Sequence, residues 1–96
     1  VIASGGSGVI SVLANAWPAE CSELVSHALK NNLKQAREIQ FRFLEVIDLL
    51  FADGNPSGIK AFMSVKNLCK NILRLPLVPV NKTVMARGQK AAEDLI

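Results

Sequence analysis

The spacing of apolar residues changes along this chain, and each change marks an element. Residues 8–15, GVISVLAN, carry Val9, Ile10, Val12 and Leu13 with only Ser11 between them. A short, nearly continuous apolar run behind glycines is the pattern of a strand buried on both faces, as in parallel sheets. From Pro18, well placed at a first helical position, the spacing becomes helical. Cys21, Leu24, Val25, Ala28 and Leu29 recur at steps of three and four, up to a stop at Asn31-Asn32. Leu33 to Ala52 reads as one longer helix striped by Leu33, Ala36, Ile39, Phe43, Val46, Ile47 and Leu50. Phe41, Leu44, Leu49 and Phe51 widen that stripe beyond one face, so the second half is expected to be covered on two sides. Asp53-Gly54 ends it.

Asn55-Pro56 supplies a cap and a first helical residue for a third helix, with Ile59, Phe62, Met63 and Val65 inward. Gly58 reads as a local weak point in it. In residues 72–80, ILRLPLVPV, the prolines at 76 and 79 forbid a helix interior and break a central ladder. An extended segment crossing the surface is expected there. Thr83 to Ile96 reads as a terminal helix with Val84, Ala91, Ala92 and Leu95 apolar and Gly88 a soft spot. The pattern predicts a mainly α chain of about four helices with one N-terminal strand. That strand poses a problem, because a lone parallel strand leaves its backbone N–H and C=O groups unpaired. No second run in the chain offers it a partner.

Composition narrows the function classes. Ninety-six residues suit one small domain, and 50% hydrophobic with 20% charged residues argues against disorder. The mean hydropathy of +0.28 is high for so small a chain. Either much of the chain is buried, or part of its apolar surface meets a partner. The net charge of +3 is carried by Lys and Arg spread along the chain and interleaved with Asp and Glu. A nucleic-acid site would concentrate them, so the charge reads as solvated surface with no nucleic-acid partner. No secretory leader is visible and no apolar run approaches about 20 residues, so no membrane partner is expected and the location reads as cytoplasmic. The first residue is Val rather than Met, which fits a polypeptide that begins further upstream.

The candidate chemistry is thin. Gly5-Gly6-Ser7-Gly8 resembles a phosphate cradle, but the glycines precede the strand, whereas ligand loops of βα units follow it. A tight turn leading into the strand is the better reading. Cys21 and Cys69 are far apart and belong to no CxxC pair, and His27 has no partner at metal spacing, so both thiols are expected to be reduced and buried. Glu20, Glu23, Asp48, Asp53 and Glu93 form no convincing carboxylate pair. Ser22, Ser26 and His27 share a helix without nucleophile–base geometry, and His27 reads as half-exposed. Lys60 and Lys66 sit on amphipathic patterns where a solvated or snorkelling lysine is the common case. Spacing alone names no active site.

Three blocks in order, GGSGVISVLAN (5–15), NPSGIKAFM (55–63) and LRLPLVPV (73–80), resemble the C-terminal third of the dihydrodipicolinate synthase branch of the pyruvate-dependent lyases. N-acetylneuraminate lyase belongs to the same family. The resemblance spans essentially the whole chain, with NPSGIK departing modestly from the NPIPVK of many members. It implies an α/β parent fold, a (β/α)8 barrel followed by a C-terminal helical extension. Residues 1–32 would then hold the last strand (Val9 to Asn15) and last helix of the barrel, and residues 33–96 the extension. The strand's partners would lie upstream of Val1. Ile10 matches the family position that lines the pyruvate site, in a contact role. The family's imine-forming lysine, its proton-relaying tyrosine and its threonine pair have no counterpart here, and the chain contains no tyrosine. Lys60 matches a helical family position, not the imine-forming one. The resemblance further implies condensation of pyruvate with aspartate 4-semialdehyde on the route to diaminopimelate and lysine, no metal or organic cofactor, and a homotetramer.

Two other readings remain. The over-wide helix 33–52 suits a self-standing helical interaction or dimerisation domain, and a sister aldolase such as N-acetylneuraminate lyase shares weaker versions of the motifs.

Overall fold

The computed structural model describes residues 1–95, and all the regular structure among them is helical, with no strand. Five α-helices follow two short 3-10 turns, Ile2–Ser4 and Leu13–Asn15. The helices are α1 (Pro18–Leu29), α2 (Leu33–Arg42), α3 (Leu44–Ala52), α4 (Ser57–Val65) and α5 (Lys82–Asp94). α1 packs on α2, while α3, α4 and α5 pack on one another, and the second 3-10 turn sits against α1 and α4.

The expected strand is a correction. Gly8–Ser11 have no regular structure, Leu13–Asn15 turn into a 3-10 helix, and Val9 and Ile10 are exposed rather than buried. The physical reason is the missing ladder: with no second strand among the described residues, extended backbone here gains no cross-strand hydrogen bonds. The single helix expected over 33–52 is also corrected. It breaks at Phe43, whose backbone (φ −100°, ψ 2°) lies outside the helical geometry on either side. The break lets α2 face the core through Ala36 and Ile39, and α3 through Val46, Leu49 and Leu50. Phe41, Leu44 and Phe51, expected to be covered from a second side, are exposed.

Trp17 and its aromatic neighbours form the centre. The indole, buried just ahead of α1, meets Phe43 at 5.5 Å and Phe62 at 5.3 Å between ring centroids, both edge-on. That arrangement adds to the energy of burial alone. Leu50 and Val46 are the largest fully buried side chains. Gly58 lies where α4 crosses α3, and a Cβ there would sit 2.1 Å from the Leu50 carbonyl oxygen. The residue read from sequence as a weak point is therefore what allows the crossing.

The third helix starts at Ser57, so Asn55 is not its cap. Ser57 is buried, and its hydroxyl donates to the Val78 carbonyl at 2.7 Å. Residues 72–80 are non-helical and mostly exposed, as expected. They return to the core at buried Val80, after which Asp53 Oδ2 accepts from the Asn81 N–H at 2.7 Å. Asn81 Oδ1 in turn accepts from the Val84 N–H at 2.9 Å and caps α5, satisfying one of the free donors at its start.

Candidate functional site

Ile10 is fully exposed and stands at the head of a short hydrogen-bonded knot. Ser11 Oγ accepts from the Ala14 N–H at 3.3 Å and lies 3.8 Å from Cys21 Sγ. The Val12 carbonyl accepts from both the backbone and the side-chain amide of Asn15, at 3.1 and 3.2 Å. The Leu13 carbonyl accepts from the N–H groups of Ala16 and Trp17, at 3.1 and 3.0 Å. Small side chains permit this tight winding: Ala14 and Ala16 leave room for α1 and α4, and Ala16 is completely buried.

The knot is closed from the other side of the fold. Lys66, which follows the last residue of α4, donates its ammonium to the Ala16 carbonyl. The same nitrogen lies 4.9 Å from the centre of the Trp17 ring, within the range of a cation–π contact. Among the described residues no backbone N–H donates to the Ala16 carbonyl, so the lysine supplies the partner that a buried carbonyl needs. Lys66 was expected to be solvated or snorkelling, and it is half-buried and engaged instead. The sequence signal was available: Lys66 stands three and four residues after Met63 and Phe62, and so on the inward face of its helix.

Other candidates are not brought together. The amides of Gly5 and Gly6 donate to the carbonyls of Ile2 and Val1, at 2.9 and 3.1 Å, so these two are not free to cradle an anion; a turn is present, but the strand it was expected to enter is not. His27 is half-exposed as expected and lies 3.6 Å from Glu23 one turn earlier on α1. Cys21 and Cys69 are both free thiols, Cys21 buried and Cys69 only half-buried. Lys60, one turn before Ser64 on α4, is half-buried. Among the described residues no group of three or more His, Cys, Asp or Glu side chains could hold a metal ion. No helix among them is long and apolar enough to cross a membrane. An open depression between α3 and α5, lined by Arg42, Glu45, Val46, Ala91, Asp94 and Leu95, holds residues that the sequence did not single out as a site.

What is assembled here is a shaped backbone segment with one outward apolar side chain, not a set of acid, base or nucleophile groups. Such a segment can line a site whose chemistry comes from elsewhere.

Residues 1–94 match the profile described as the Dihydrodipicolinate synthetase family. A 4-hydroxy-tetrahydrodipicolinate synthase of Phocaeicola vulgatus is 42% identical over 95 residues, covering 99% of this chain and 32% of that protein. The protein of the same name from Parabacteroides distasonis is 48% identical over 75 residues, covering 78% of this chain and 25% of its own length. The crystal structure of dihydrodipicolinate synthase from Thermotoga maritima superposes with a TM-score of 0.93 at 31% identity, covering 98% of this chain and 32% of that one. The chain thus spans about a third of the length of the curated relatives it matches.

Proposed function

The chain belongs to the dihydrodipicolinate synthetase family, and on that premise we propose that it forms the C-terminal third of a Schiff-base lyase. The reaction proposed is the condensation of pyruvate with aspartate 4-semialdehyde, feeding diaminopimelate and lysine synthesis in the cytoplasm. Residues 1–32 give the last strand and last helix of a (β/α)8 barrel, and residues 33–96 the helical extension. The observation that carries this reading is the superposition on the Thermotoga enzyme over 98% of the chain. Such breadth takes in the N-terminal segment that has no strand partner in this chain.

In the proposed reaction pyruvate loses its carbonyl oxygen as water on forming an imine with a lysine. A proton then leaves the methyl carbon to give an enamine, which attacks the aldehyde. Ile10 contributes an apolar wall against the pyruvate rather than a reacting group. The imine-forming lysine, the relaying tyrosine and the threonine pair come from outside these 96 residues, in keeping with a chain that contains no tyrosine. The 96-residue chain is therefore catalytically inert by itself, and no metal or organic cofactor enters the reaction. Exposed Phe41, Leu44 and Phe51 suit burial against other parts of the same polypeptide or against a second subunit of a homotetramer.

Condensation of the two substrates by the natural polypeptide, followed through the cyclised product, tests the reading. Turnover with pyruvate and aspartate 4-semialdehyde supports it, and turnover only with a sugar-derived acceptor moves the protein to a sister aldolase. The same exposed residues on α2 and α3 also favour a second reading, a helical dimerisation domain, which requires the 96-residue chain to self-associate without added sequence.

A further inference from the structure

We propose that Lys66 is a positioning residue for the pyruvate-facing segment. It holds Ile10 in place through the knot formed by Ser11 to Trp17. The inference rests on the lyase reading given above. Three observations carry it. The ammonium is the only donor described for the buried Ala16 carbonyl. It also lies 4.9 Å from the ring centre of Trp17, the residue immediately ahead of α1. And the bonds that fix Ala14, Asn15, Ala16 and Trp17 run back without a gap to Ser11, the neighbour of Ile10.

Neither end of this device is replaceable by simple packing. The Ser11–Ala16 knot is held by bonds to the Ser11 hydroxyl and to the Val12 and Leu13 carbonyls, and its far end, Ala16, is completely buried. Without the ammonium the Ala16 carbonyl has lost its partner, and a buried carbonyl draws the backbone toward any donor within reach. In barrel enzymes the chemistry sits at the C-terminal ends of strands, and on the lyase reading the last barrel strand falls within residues 9–15, the segment this knot shapes. The helical extension would thus act on the site from behind, through one lysine at the end of α4.

Lys66→Met keeps the apolar stem and removes the charge, whereas Lys66→Arg keeps a cation that can both donate and stack on the indole. The experiment measures pyruvate kinetics and tryptophan emission for both variants in the natural polypeptide. Trp17 is the only tryptophan in these 96 residues, and Trp17→Phe supplies the baseline for any other. Lys34→Met, on the exposed side of α2, controls for loss of a charge.

The expected result for Lys66→Met is a roughly tenfold rise in KM for pyruvate, a loss of about 1.4 kcal/mol, with kcat within about twofold. That split is the mark of lost binding rather than lost transition-state contact. Trp17 emission shifts in the same variant, and Lys66→Arg restores both readouts. An unchanged KM for pyruvate in folded Lys66→Met overturns the inference, as does an equal rise in Lys34→Met. If Lys66→Met does not fold, Lys66→Arg decides: parent-like KM and emission support the clamp, and a tenfold rise in KM despite a bound cation refutes it. Failure of the parent itself to condense pyruvate sinks the lyase reading instead, a result the wild-type control reports separately.

Discussion

Gly58→Ala is the sharpest test of how the helices are packed. A Cβ at this position would lie 2.1 Å from the Leu50 carbonyl oxygen, 2.7 Å from its carbon and 2.9 Å from its Cα. Those are backbone atoms of α3 and have no rotamer to escape into. Real Cβ contacts stay above 3.0 Å, so α4 must move away from α3 by nearly an ångström. Ile59 and Phe62 of α4 and Val46 and Leu50 of α3 are all buried in the same core cluster, so the shift loosens the centre of the core. Overpacking costs about 1–3 kcal/mol, and a 2.1 Å approach to fixed backbone atoms belongs in the upper part of that range, about 2–3 kcal/mol, while alanine returns about 1 kcal/mol of helix propensity. The net expectation is a loss of about 1–2 kcal/mol in denaturant unfolding followed by far-UV circular dichroism. Gly88→Ala is the matched control. Its Cβ would meet the Phe62 ring at 3.5 Å, an ordinary contact, so propensity dominates and stability should hold or rise. A Gly58→Ala protein as stable as its parent would refute the close crossing of α3 and α4.

Other consequences follow from the same contacts. Trp17→Ala removes the ring that joins Phe43 and Phe62 and should cost about 3–5 kcal/mol in the same assay. Asn81→Ala removes the cap on Val84 N–H and should cost about 1 kcal/mol, with Asn81→Ser recovering most of it. In the 96-residue chain the amides of Gly8 to Ser11 have no described acceptor, so hydrogen exchange there should be near the unprotected rate, while the α3 amides of Leu49 and Leu50 exchange slowly. Leu44→Ser, at an exposed position, should leave the stability of the isolated chain within about 0.5 kcal/mol.

The parts of the fold set by local chemistry were legible in the sequence. Pro18 starts α1, the 3.6-residue spacing placed all the main helical regions, and the prolines at 76 and 79 kept residues 72–80 out of helix. What depended on distant atoms was not legible. The break at Phe43 serves a ring contact with Trp17, 26 positions earlier in the chain, which no window of local spacing contains. Gly58 looked like a weak point because propensity counts only its own helix, whereas its use is the approach of Leu50. The apolar run Val9–Leu13 carries a strand signal that calls for a ladder, and the described residues include no second strand to supply one. At the candidate site, Ile10 was named through resemblance alone. The lysine that braces its segment was legible in principle, from the face of α4 it occupies, but an amphipathic pattern does not say which buried carbonyl a lysine will reach.

The most direct test of the central claim is borohydride trapping with pyruvate, read by intact mass and peptide mapping, on the natural polypeptide and on the 96-residue chain in parallel. The lyase reading predicts one pyruvate-derived adduct on the natural polypeptide, on a lysine outside residues 1–96, and none on the short chain. An adduct on Lys60, Lys66 or any other lysine of these 96 residues, or no adduct on the natural polypeptide, would contradict it.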